Sequence, residues 1–158
     1  MNKPALLAQI IVTLTTELEM LTKAALATHA EATDEENKAE DKYDTRGLEA
    51  SYLAHGQSKA AEEAALAVTQ FQGLTMRDFQ AGEPVSLGAL VVLEGKTTNH
   101  YFVGPRAGGT EVEHQGHTVL VITPQSPLGR QLVGKKQGDL VQLDLGGRRS
   151  EFRLAAVA

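Results

Sequence analysis

Residues 122–139 read ITPQSPLGRQLVGKKQGD. An apolar, β-branched run, begun upstream in 118–123 (TVLVIT), stops at Pro124. Ser126 followed by Pro127 then supplies a capping hydroxyl and a first-turn proline, the two residue types that open a helix. The spacing predicts a short helix over 127–133. Gly134-Lys135-Lys136 and Gly138-Asp139 read as turns, and 140–145 (LVQLDL) as the next strand. A strand, a capped helix and a second strand have apolar faces that only a sheet can cover.

That sheet is legible on both sides of the run. Upstream lie 87–94 (LGALVVLE) and 98–104 (TNHYFVG), and downstream, past Gly146-Gly147, lies 151–157. Glycine and proline recur every few residues from Gly73 onward, and β-branched residues cluster between them. A small antiparallel sheet with one helix across it is expected from about residue 80 to the end.

The first half has a different texture. Up to Gln72 its only glycines are Gly47 and Gly56 and its only proline is Pro4. Leu7, Ile11, Leu14, Leu18, Leu21, Ala25 and Thr28 step alternately by four and three, which is a heptad seam. A stripe this narrow cannot be buried by one helix alone. Its partner is found in 48–71, where Ala54, Gln57, Ala61, Ala64, Val68 and Phe71 repeat the rhythm with small residues that permit close approach. An antiparallel coiled-coil hairpin over 1–73 is expected, with helices reaching roughly 35–40 Å at 1.5 Å per residue. Two helices folded onto the β half as one globule is the alternative.

Between the helices, residues 31–44 (EATDEENKAEDKYD) hold seven acids and two lysines. The whole chain has a net charge of −5, and that segment accounts for all of it. An overall acidic chain does not attract nucleic acid by charge alone, so the acidic tip points to a cation or a basic partner surface. The absence of cysteine excludes a disulfide framework and thiol chemistry. The opening stretch is interrupted by Gln9, Thr13 and Glu17, which reads as too polar to span a membrane, so a soluble, cytoplasmic protein is expected.

The run Ser126-Pro127-Leu128-Gly129, the Gly134-Lys135 and Gly138-Asp139 turns, Gly146-Gly147 and Phe152 together resemble the C-terminal domain of the GreA/GreB family of bacterial transcript-cleavage factors. The resemblance runs from about Leu87 to the end of the chain. It implies an α+β protein, with the N-terminal antiparallel coiled-coil hairpin followed by an FKBP-like antiparallel β domain carrying one short helix. It also implies a monomer that binds bacterial RNA polymerase at the secondary channel, with the nascent RNA 3′ end as its neighbour and no membrane partner. Ser126, Pro127, Leu128 and Gly129 would lie near the surface that docks on the polymerase.

The resemblance further implies that the chain is no enzyme itself and has no cofactor of its own. Its tip acids would stimulate the polymerase's nuclease by helping to hold a shared catalytic Mg²⁺. Asp34, Glu35 and Glu36 are the candidates for that assistance, with Asp34 and Glu36 as metal ligands and Glu40 and Asp41 behind them. The family tip carries a glycine before its first acid, whereas here Thr33 precedes Asp34 and one of the two family acids is displaced. That departure motivates the alternative of a secondary-channel regulator without cleavage activity. A prolyl isomerase is a third reading of the β half, opposed by its few aromatics, Phe79, Tyr101, Phe102 and Phe152.

Weaker signals read blandly. His114 and His117 mimic a metal pair but sit in an expected turn, so surface histidines are expected there. The glycine-rich 103–109 matches neither phosphate-binding fingerprint and reads as a loop. Lys135-Lys136 and Arg148-Arg149 read as solvated charges on turns.

Overall fold

A computed structural model describes residues 1–33, 45–145 and 148–158. Its elements are α1 (Lys3–Thr33), α2 (Arg46–Gln72), β1 (Leu90–Glu94), β2 (Thr98–Val103), β3 (Glu111–His114), β4 (His117–Ile122), α3 (Pro127–Leu132), β5 (Leu140–Leu145) and β6 (Arg148–Val157). The chain divides into two compact units, Val12–Thr69 and a second made of Met1–Ile11 with Gln70–Ala158.

The unit 12–69 contains two helices. α1 enters it at Val12 and α2 leaves it at Thr69, each returning to the other unit, so the pair is antiparallel. The expected seams are the covered ones: Leu14, Ala25, Ala54 and Val68 are buried, and Leu18, Leu21, Thr28, Gln57, Ala61 and Ala64 are half-buried. Gln57 is the exception to their chemistry. Its Oε1 is buried without a hydrogen-bond partner, which costs more than an apolar group of the same size. Gln57→Leu is therefore expected to stabilise the chain by about 1 kcal/mol. An unchanged or lower urea midpoint, followed by helical circular dichroism, would contradict this.

In the other unit the burial pattern moves by one position on α1. Leu6 and Ile10 are fully buried, while Leu7 and Ile11 of the expected seam are only half-buried. Here the helix start shares its unit with the sheet and the end of α2, so a second direction is covered. Lys3 marks the same change. Its ammonium donates to the Arg77 carbonyl at 2.7 Å and lies 4.7 Å from the centre of the Phe79 ring, whose other neighbour is the Arg77 guanidinium at 4.0 Å. Burial pushes the Lys3 amine below its ordinary value. The expectation that this stretch is too polar to span a membrane is corrected: by length and composition alone the helix Lys3–Glu31 is apolar enough to cross one, with a mean hydropathy of 1.4 over an 18-residue window, because Gln9, Thr13 and Glu17 are outweighed by the aliphatic residues around them.

The six strands form one sheet in the order β3-β4-β2-β1-β6-β5. The α+β class holds, and within it the sheet is mixed. β2 and β4 pair in parallel, with His100 beside Val119 and Phe102 beside Val121, while the remaining pairs are antiparallel. The cause is β3, a strand where the sequence alone suggests only a turn. β3 runs back one position beyond β2, and β4 fills the gap, necessarily in the direction of β2.

Strand alternation divides the sheet into two covered faces. Val91 and Leu93, Tyr101 and Val103, Val141 and Leu143, and Phe152 and Leu154 belong to one core with Ile122 and Leu132 of α3. The opposite parity puts Phe102, Val112, Val119 and Val121 on the second face, all buried. Phe71 of α2 packs there, its ring centre 6.3 Å from that of Phe102. Gly104 makes this approach possible, because a Cβ at that position would lie 2.5 Å from Phe71 Cζ.

Candidate functional site

The Ser126–Gly129 element is first of all a folding device. Ser126 caps α3: its hydroxyl accepts from Gly129 N at 3.0 Å and donates to the Thr123 carbonyl at 2.8 Å. Pro127 occupies the first turn, where its missing N–H costs nothing. Gly129 is buried against the strand end, so close that a Cβ would stand 1.8 Å from Thr123 O. Of the four residues expected at a docking surface, Pro127 is exposed, Ser126 and Leu128 are half-buried, and Gly129 is buried.

The exposed chemistry lies next to this element. Val85 pairs through its backbone with Gly134 and Lys135, at 2.9 and 2.8 Å, which brings the segment leading into β1 alongside the end of α3. Leu87 and Val133 are exposed apolar side chains on these two segments. Arg130, Lys135 and Lys136 are exposed around them. Asp139 fixes the turn that carries the lysines by accepting from Lys136 N at 2.8 Å. The surface is thus apolar at Leu87, Val133 and Pro127 and positive around them. A face of this composition suits an acidic, partly apolar protein surface. Arg149 lies on strand β6 rather than on the turn expected for it.

The acidic candidates Asp34, Glu35, Glu36, Glu40 and Asp41 lie outside the described residues. Among the described residues, no group of three or more His, Asp or Glu side chains could hold a metal ion.

Of the two histidines expected at the surface, one is placed differently. His117 is exposed, but His114 is only 4% exposed. His114 Nδ1 is hydrogen-bonded to the side-chain oxygen of Gln9 on α1, and its Nε2 is buried without a partner. His117 stacks on His100 of β2, ring centres 4.5 Å apart. Burial, and secondarily the His117 charge, hold the His100 imidazole below its ordinary value. The signal for this was the parity of β3: His114 falls on the same face as Val112, and that face is covered.

No protein-family model matches the chain. The transcription inhibitor protein Gfh1 of Thermus thermophilus is 30% identical over 126 residues, spanning 76% of this chain and 75% of that protein. Its counterpart in Thermus aquaticus is 31% identical over 126 residues, spanning 76% and 74%. Among solved structures, GreA factor homolog 1 (Gfh1) of Thermus thermophilus aligns over 94% of both chains, with a TM-score of 0.40 and 21% identity. A GreA/GreB elongation factor from Nitrosomonas europaea aligns over 70% of this chain and 92% of its own, with a TM-score of 0.35 and 16% identity.

Proposed function

The chain belongs to the GreA/GreB family, and from that premise we propose that it is a regulator of transcription that binds bacterial RNA polymerase at the secondary channel and restrains RNA synthesis. Inhibition is carried by a single observation: relatives at 30% and 31% identity over about three quarters of the chain are named transcription inhibitors. The surface around α3 is the docking element in this reading. Leu87, Val133 and Pro127 contribute apolar contact, while Arg130, Lys135 and Lys136 select an acidic partner face. The helix pair then carries residues 31–44 to the channel, and their negative charge competes there for the metal-bound space that incoming substrate needs. The factor acts as a cytoplasmic monomer, is no enzyme itself, and requires no cofactor of its own.

The second reading is the cleavage activity that the family resemblance implies, although the tip departs from the family pattern at Thr33. Asp34, Glu35 and Glu36 would assist the polymerase's own Mg²⁺ in hydrolysing backtracked RNA at its 3′ end. The two readings part in one experiment. Stalled, backtracked elongation complexes are incubated with the protein, then supplied with nucleotides, and RNA length is read on a gel. Inhibition predicts slowed extension and no shortened transcript, with the restraint relieved in Asp34→Ala/Glu35→Ala/Glu36→Ala. Shortened RNA with the wild type but not with the triple variant would replace inhibition by cleavage. Failure to bind core polymerase at all would remove both.

A further inference from the structure

The outer side of α2 carries an apolar ridge that the described residues leave uncovered. Leu48, Tyr52 and Gly56 follow one another at intervals of four, so they stand one above the next on a single helix face. At 100° per residue that face is opposite the seam of Ala54, Gln57 and Ala61. Leu48 and Tyr52 are 58% and 72% exposed, and Leu53, one position round from Tyr52, is 57% exposed. α1 adds Leu26, also exposed, seven residues before its end, just as Leu53 lies seven residues after the start of α2. From Ala25 to the end of α1, and from the start of α2 to Ala54, no described residue between is buried. The largest apolar side chains of this part of the helix pair therefore face outward, where the pair buries nothing itself.

Gly56 is the informative member. Glycine inside a helix is unfavourable relative to alanine, so its presence there asks for a reason. The fold supplies none, because a Cβ at that position would meet nothing within 4 Å. The bare backbone beside Tyr52 instead leaves a notch into which a surface from outside the chain fits closely. Lys59 and Glu63, both exposed, make the same face polar again beyond it, so the apolar stretch from Leu48 to Gly56 is about 12 Å long. At its other end the ridge borders the segment 31–44, with its seven acids and two lysines. Those acids repel the phosphates of a nucleic acid and attract a protein surface that is positive beside an apolar pocket.

We propose that Leu48, Tyr52, Leu53 and Gly56 form a protein-docking face whose occupant is an apolar pocket edged by lysine or arginine. The inference rests on the reading that the helix pair enters a channel of RNA polymerase, and it assigns the pocket to the wall of that channel. Tyr52 is the anchor, since an exposed aromatic ring buries the most area for the least loss of freedom. The ridge also has a task that the acids cannot perform. Charge attraction acts over a distance and fixes no register, whereas a ring seated in a pocket sets how far the acidic segment reaches.

The test measures binding of the intact chain to RNA-free core RNA polymerase at low and at high salt, with thermal melts of each variant alongside. Leu48→Ser/Tyr52→Ser alters two exposed side chains, and it is expected to weaken binding by about ten-fold or more at both salt concentrations. Gly56→Ala is expected to weaken binding while raising the melting temperature, because alanine is the better helix former and the notch is filled. Weaker binding by a more stable protein is a combination that a purely structural role does not produce. If the wild type binds and both variants bind equally well, the docking face is overturned and the reading of the chain as a polymerase regulator stands. If the variants are impaired only on complexes that carry RNA, the face belongs to nucleic acid and the protein pocket is overturned. If the wild type itself fails to bind core polymerase, the regulator reading falls and takes this inference with it.

Discussion

Phe71→Ala is expected to lower the stability of the sheet-bearing unit by about 4 kcal/mol, the largest single loss anticipated anywhere in the chain. Phe71 is fully buried, and three features converge on it. Its ring packs with Phe102, Gly104 is bare where the ring edge passes, and Leu6 and Ile10 of α1 are buried in the same unit. Truncation removes the ring contacts and leaves a cavity whose walls are strands and helix ends, which cannot collapse far. Urea denaturation followed by tyrosine fluorescence in a Tyr43→Phe/Tyr52→Phe background, which leaves Tyr101 of the adjoining core as the reporter, measures the loss. A change below about 1 kcal/mol would mean that the unit does not depend on this helix end.

Gly129→Ala is expected to cost about 3 kcal/mol, for the opposite reason. Nothing is removed. The added methyl would meet a backbone carbonyl at 1.8 Å, and backbone cannot step aside as a side-chain tip can. Relief requires α3 to lift away from Thr123, which breaks the Ser126 hydroxyl contacts to Thr123 O and Gly129 N. Ser126→Ala removes those contacts without a clash and serves as the comparison, with an expected loss of about 1 kcal/mol. Thermal melts of the two variants should separate clearly. If Gly129→Ala melted with the wild type, the close contact between α3 and the strand end would not exist in solution.

These two positions also illustrate what the sequence could and could not convey. The start of α3 was readable because Ser126 and Pro127 act within one turn of themselves. The role of Gly129 was not, since the carbonyl it must avoid belongs to a residue outside the helix. The seams of α1 and α2 were readable from their spacing, because helical periodicity is local. The shift to Leu6 and Ile10 was not, because a second covering surface arrives from far along the chain. β3 escaped notice since EVEH alternates charge with a single valine over only four residues, a weak strand signal. With β3 missed, the parallel pairing of β2 and β4 and the burial of His114 were both out of reach. The acidic candidates were the most conspicuous feature of the sequence, and they lie outside the described residues.

The strand order carries a consequence for how the chain reaches its fold. β1 with β2, β3 with β4, and β5 with β6 are neighbours both in sequence and in the sheet. Each pair is a local ribbon of the kind that closes in about 1–10 μs, yet none is stable by itself. The sheet becomes continuous only through two joins, β2 to β4 and β1 to β6, and the second unites Val91 with Val157 across most of the domain. Closing such distant segments requires loop entropy to be lost before the contacts that repay it exist. Forming these two joins is therefore the step expected to limit the folding rate. Until then β1 and β2, central in the finished sheet, have free edges, and this is the interval in which the chain is most exposed to pairing with a neighbour.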